Sequence, residues 1–243
     1  MNKMKRISWL ILILYYLAGL LFLIFYNSGL QYGTYFTQPL FMPLLILYYF
    51  TRIRTNNIKP DKWLIIAVIF SWFGDLTMMF TTNPEYRIMV LPGIISFLLM
   101  HLTYIKMFYE KGSLKKLLSA RLIPVLFFIG LGIALNYYLS SYFINDKSFF
   151  KIPVLIYSCI IVSMVIVAVL REAGKRSSFF LIAGGALCFL FSDASLSIHI
   201  FKGEYFPVEM FSHTFYLSWA VVGITYVTAQ LLIVEGLIRS RET

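Results

Sequence analysis

Hydrophobic positions in this 243-residue chain come in long unbroken runs, covering residues 7–26, 36–51, 62–80, 88–109, 119–141, 151–170, 179–200 and 211–236. A half-buried strand would alternate, and a surface helix would show apolar residues only every third or fourth position. Most of these runs approach the roughly 20 apolar residues that a helix needs to cross a bilayer. The pattern therefore predicts an all-α, polytopic membrane bundle of eight transmembrane helices, forming one integral membrane domain over residues 1–243. The second run is the shortest and carries Pro39 and Pro43 in its first turns, where the early amide hydrogens have no helical partner and proline is tolerated. The first run follows Lys3, Lys5 and Arg6, the charge order of a signal peptide. It is longer than an ordinary signal core and no A-x-A site follows, so it is expected to stay as the first transmembrane helix.

The cations between the runs set an orientation. Sixteen lie on one side, at Lys3, Lys5, Arg6, Arg52, Arg54, Lys59, Lys62, Lys111, Lys115, Lys116, Arg121, Arg171, Lys175, Arg176, Arg239 and Arg241. Four lie on the other, at Arg87, Lys147, Lys151 and Lys202, with Lys106 near the inner end of the fourth helix. The positive-inside rule then places both termini in the cytoplasm, and a bacterial inner membrane is the expected location. A composition of 60% hydrophobic and 13% charged residues excludes an ordinary soluble domain. The net charge of +10 does not point to nucleic acid, because the cations sit between the apolar runs and not on one face. Cys159 and Cys188 both fall inside apolar runs and read as buried thiols.

Two carboxylates break this pattern. Asp75 lies in Phe70-Ser71-Trp72-Phe73-Gly74-Asp75-Leu76 and Asp193 in Phe189-Leu190-Phe191-Ser192-Asp193-Ala194, each deep within a span. A charge at the bilayer centre costs about 3 kcal/mol on insertion scales, so such a residue is a functional candidate by default. Helical spacing puts Ser71, Asp75 and Met78 on one face of the third helix, and Gly93, Phe97, His101 and Tyr104 on one face of the fourth. It aligns Gly185, Phe189, Ser192 or Asp193, and Leu196 on the seventh, and Trp219, Gly223, Tyr226 and Gln230 on the eighth. Polar groups mixed with small and aromatic residues mark faces turned into the bundle. A weak internal repeat relates residues 7–110 to 119–236, pairing Gln38-Pro39 with Ile152-Pro153, Asp75 with Asp193, and Thr103-Tyr104 with Thr225-Tyr226. A parallel duplication of four plus four helices would set the two aspartates in equivalent, facing positions.

Two neighbouring carboxyls can hold a protonated acid and an ionised base together near neutrality, equipment suited to reactions through an oxocarbenium ion. By rise per residue, Asp75 and Asp193 come out roughly 20 Å from their inner helix ends, with His101 and Tyr226 roughly 10 Å nearer the inner surface. No metal is expected: His101, His199 and His213 form no H-x-x-x-H or H-E-x-x-H pattern, and Walker, nucleophile-elbow and dinucleotide motifs are absent. A transporter or lipid-binding protein with an intramembrane carboxylate site fits the same pattern, as does a purely structural hydrogen-bond cluster between helices.

Ser71 to Leu76 with Gly74-Asp75, then Gly93, Phe97, His101 and Tyr104, then Pro153 to Tyr157, then Gly185-Ala186, Phe189 and Ser192-Asp193, then Thr225-Tyr226 with Ala229-Gln230, resemble in order the YhhN family. The resemblance runs from Gln38 to Gly236 and departs at Gln38, where the family usually has lysine before the proline. That family includes lysoplasmalogenases, so the resemblance implies a hydrolase that cleaves the vinyl ether of a lysophospholipid without a cofactor. It implies Asp75 and Asp193 as catalytic acid and base, and Ser71, His101, Tyr104, Ser192, Tyr226, Gln230 and Gln38 as residues for substrate or water. Membrane lipids would be the surrounding partners. A hydrolase of another lysolipid remains open.

Overall fold

A computed structural model describes residues 3–82, 88–109, 121–143, 145–171, 175–202, 207–210 and 213–242. Helix α1 (Lys3–Asn27) ends where Gly29 takes a left-handed φ of 69°. Leu30 N–H then reaches Phe25 O at 2.9 Å and Gly29 N–H reaches Tyr26 O at 3.2 Å, which satisfies carbonyls at the helix end. The chain folds straight back into α2 (Gln31–Thr37), a 3₁₀ turn (Gln38–Leu40) and α3 (Phe41–Thr55). Two prolines explain the break. Pro43 has no N–H to give to Pro39 O, and the indole of Trp72 donates to that carbonyl instead at 2.9 Å. The same left-handed device closes α3: Asn57 has φ 53° and Ile58 N–H bonds Ile53 O at 2.9 Å. Asp61 then caps α4 (Lys62–Met78) by accepting from Trp63 N–H at 2.8 Å.

The remaining helices are α5 (Val90–Phe108), α6 (Leu122–Ser140), α7 (Lys151–Leu170), α8 (Arg176–Lys202) and α9 (Leu217–Arg239). Among the described residues, seven helices are long and apolar enough to cross a membrane, which makes this a multi-pass membrane protein. The expected second span is the exception. At 15 residues, α3 reaches only about 22 Å, short of a bilayer crossing on its own, and it follows the broken helical stretch that starts at Gln31. The last span also starts later than its apolar run: residues 213–216 do not join it, and Pro207–Met210 pairs antiparallel with His213–Tyr216 before α9 begins. Proline, β-branched and aromatic residues crowd that stretch and favour extended backbone over helix.

Polar contacts gather the helix ends that carry the basic segments. Ser8 donates to Thr51 at 3.0 Å, Arg52 holds Glu235, Arg241 holds Asp61, and Lys106 stands 3.4 Å over the Trp63 ring. The start of α1 and the end of α9 therefore share one basic end of the bundle.

Within the bundle α4 packs along α5, and α8 along α9. A Cβ on Gly185 of α8 would stand 2.9 Å from Ala229 O and 3.1 Å from Ile233 N, both backbone atoms of α9. Gly185→Val is expected to force these helices apart and cost about 1–3 kcal/mol. Thermal unfolding in detergent reads this as a lower Tm, and an unchanged Tm would show that the contact is dispensable.

Candidate active site

Side chains from α4, α5 and α9 meet around Asp75, which is only 3% exposed. Tyr226 O–H donates to Asp75 Oδ2 at 2.8 Å. With its hydrogen committed there, Tyr226 must accept from Ser71, whose oxygen is 2.7 Å away. Gln230 Nε2 donates to Ser71 Oγ at 2.5 Å, and Tyr104 O–H donates to Gln230 Oε1 at 2.7 Å. Every hydrogen in this chain points the same way, from Tyr104 through Gln230, Ser71 and Tyr226 to the carboxyl of Asp75. Gln38, in the 3₁₀ turn before α3, donates to the backbone carbonyl of Asp75 at 3.2 Å.

Asp193 anchors a second cluster, built from α5, α7 and α8. Its Oδ2 takes the hydroxyl of Tyr157 in a short hydrogen bond and lies 3.2 Å from His101 Nε2, which is also 3.0 Å from the Tyr157 oxygen. His101 Nδ1 lies 3.2 Å from the thioether sulfur of Met164. A thioether only accepts, so this contact assigns a proton to Nδ1. Tyr157 gives its own hydrogen to Asp193, and the 3.2 Å separation of His101 Nε2 from Asp193 Oδ2 is a distance across which a proton can pass between them.

The two clusters touch through aromatic rings. Phe189 sets its edge against His101 at 5.3 Å and against Tyr226 at 5.7 Å, and Phe97 lies edge-on to Tyr226 at 6.1 Å. Gly74 makes room for Phe97, since a Cβ there would come within 2.7 Å of the ring.

The described residues of the four polar stripes face inward, with Trp219 outside them, and the depth mismatch calculated from rise per residue closes. The reason is antiparallel packing. Side chains lean toward the N-terminus of their own helix, so Asp75 and Asp193 lean toward the basic end while His101 and Tyr226 lean away from it, and they meet. Ser192 is not drawn into either cluster; its hydroxyl bonds Val222 O at 3.2 Å and ties α8 to α9. Tyr157 and Met164 carry no candidate role in the linear pattern, although Tyr157 closes the motif that opens at Pro153. A tyrosine inside an apolar span is a weak signal, and a methionine is none. Among the described residues no three histidines, cysteines or carboxylates cluster as metal ligands. His199 is buried away from both clusters, and the His213 side chain lies outside the described residues.

Asp193 and Tyr157 also line space. A cavity of about 270 Å³ opens between α6, α7 and α8, walled by Leu131, Leu135, Ile161, Val162 and Leu190. A smaller one of about 30 Å³ lies against the same two residues, bounded by Met78, Ile94 and Phe97. The side chain of Asp193 is 13% exposed, whereas Asp75 lines neither cavity.

The YhhN family profile matches residues 33–237 of this sequence. The chain belongs to the YhhN family. YhhN proteins are associated with lysoplasmalogenase activity. Residues 33–237 take in α3 to α9 apart from the last turn, and hence both aspartate clusters, while α1 precedes the match. No curated protein and no solved structure matches this YhhN chain.

Proposed function

We propose that the protein is a membrane-embedded hydrolase that cleaves the vinyl ether of a lysoplasmalogen with water, giving a fatty aldehyde and a glycerophospho-alcohol. One observation carries the reading: the carboxyl of Asp193, 3.2 Å from His101 Nε2, lines an apolar cavity between α6, α7 and α8. Vinyl ether hydrolysis starts with a proton delivered to carbon, from an acid that must sit beside an aliphatic chain. The Asp193–His101 pair supplies the proton to the vinyl carbon remote from oxygen, and the double bond becomes an oxocarbenium ion. Water adds at the carbon next to oxygen and returns a proton to the pair, leaving a hemiacetal. Transfer of the hemiacetal hydroxyl proton to the glycerol oxygen then releases the aldehyde and the alcohol.

The cavity of about 30 Å³ is large enough for one water molecule, and Asp193 and Tyr157 give it two polar partners. Asp75, held by Tyr226 on the far side of Phe189, contributes the second carboxyl that steadies the cation. Ser71, Tyr104, Tyr226 and Gln230 hold Asp75 in place. Gln38 stands where the family has lysine, so a headgroup phosphate would meet an amide there and not an ammonium group. The basic end of the bundle faces the cytoplasm in this reading, with both termini.

Purified protein in detergent is to be incubated with a lysoplasmalogen and, separately, with its acyl-ester and alkyl-ether analogues, with and without EDTA. Aldehyde and fatty acid are scored by mass spectrometry. Aldehyde from the vinyl ether alone, indifferent to chelator, is the expected result. Fatty acid from the ester would make this a different lysolipid hydrolase, loss with EDTA would bring a metal into the reaction, and no product at all would leave transport or lipid binding.

A further inference from the structure

A cavity of about 420 Å³ opens at the basic end of the bundle, between α1, α3 and α9, and no residue of either aspartate cluster lines it. Lys5, Arg52 and Arg239 line it, and among the described residues Glu235 is the one carboxylate in its wall. That carboxylate is already engaged. Its Oε1 accepts from Tyr48 O–H at 2.6 Å and Arg52 Nε at 2.9 Å, and its Oε2 accepts from Arg52 Nη2 at 3.1 Å. Arg239 Nε stays 3.6 Å from it, beyond hydrogen-bonding distance. Glu242, 3.8 Å from Arg52, is held by Asn56 and does not line the cavity. The wall therefore carries three cations against one carboxylate, and the guanidinium of Arg52 is fixed by its two-pronged pairing.

We infer that this cavity binds an anionic phosphate, supplied by the headgroup of a lipid in the leaflet at the basic end. Two surplus charges match a phosphate group carrying one or two negative charges, and arginine and lysine are the side chains that meet phosphate best. The floor continues the fit. Leu12 and Leu231 extend the cavity toward the bilayer interior, and Trp9, 59% exposed, flanks it on α1. A cationic rim above an apolar floor beside an interfacial tryptophan is complementary to a phospholipid, with its phosphate at the rim and its glycerol below. Glu235 gives the site selectivity, because a like-charged carboxylate repels a ligand that does not also satisfy the cations.

The test uses the full-length protein in a neutral detergent, titrated with short-chain phosphatidylglycerol, with short-chain phosphatidylcholine and with inorganic phosphate, binding being read by native mass spectrometry and thermal shift. Phosphatidylglycerol is expected to bind and raise Tm, and phosphatidylcholine to bind at least about tenfold more weakly. Lys5→Gln with Arg239→Gln should lose about tenfold in affinity for phosphatidylglycerol, while the Tm without ligand stays that of the parent protein. Arg52 is left intact so that the Glu235 pairing survives. Inorganic phosphate that competes with the lipid would also support an anion site and would make free phosphate its second source; phosphate without effect would restrict the site to lipid. Equal binding of both lipids, or equal affinity in the double variant, would overturn the inference, as would failure of both phosphatidylglycerol and phosphate to bind. None of these outcomes touches the reaction assigned to Asp193.

Discussion

Asp193→Asn lowers turnover of a lysoplasmalogen by about a thousandfold or more while Tm in detergent stays near that of the parent protein. Asparagine has almost the same shape and keeps a carbonyl oxygen to accept the Tyr157 hydroxyl, so the helices have no reason to separate. It cannot take up a proton from His101 Nε2, 3.2 Å away, or give one to the substrate. Positioned acid–base catalysis contributes about 10²- to 10⁴-fold, and proton transfer to carbon is the step that most needs it. The measurement is kcat for aldehyde release, with a melting curve of the same preparation. A variant that retained substantial turnover would remove Asp193 from the reaction.

Two replacements at Asp75 separate support from chemistry. Asp75→Asn keeps an acceptor for the Tyr226 hydroxyl, so the one-way hydrogen-bond chain survives and the fold stays intact, but the second ionisable carboxyl is gone. Turnover is expected to fall about a hundredfold, less than at Asp193, because Asp75 lines neither cavity that Asp193 lines. Asp75→Leu removes the acceptor as well. Tyr226 then has only the Ser71 oxygen, which already accepts from Gln230, to donate to, and the disrupted chain is expected to cost up to about 1–3 kcal/mol and lower Tm. Full activity in the asparagine variant together with a destabilised leucine variant would make Asp75 a structural residue only.

The membrane architecture is legible in the sequence because each span has to be apolar over most of its length, and seven of the eight expected runs form helices long enough to cross. What the runs could not give is the break around Gln38–Leu40, which depends on Pro43 failing to supply an N–H to a carbonyl four residues earlier. They also could not give the paired strands before α9, since an apolar run reads the same whether it is helical or extended. Asp75, Asp193, His101 and Tyr226 stand out because polar groups are expensive inside a span. Their partners do not all stand out. Tyr157 and Met164 are apolar enough to pass as core, and only contact with His101 gives them a role. Linear spacing also sets His101 and Asp193 at different depths, because rise per residue ignores the opposite lean of side chains on antiparallel helices.

The amide of Gln230 has a consequence for proton movement within the bundle. A hydroxyl can pass a proton along by accepting one and releasing another, but an amide does so only through a costly imidic tautomer. Placed between Tyr104 and Ser71, Gln230 interrupts what would otherwise be a conducting line of hydroxyls leading to Asp75. A carboxyl can then sit deep in the bundle without a line of hydroxyls relaying protons to it from Tyr104.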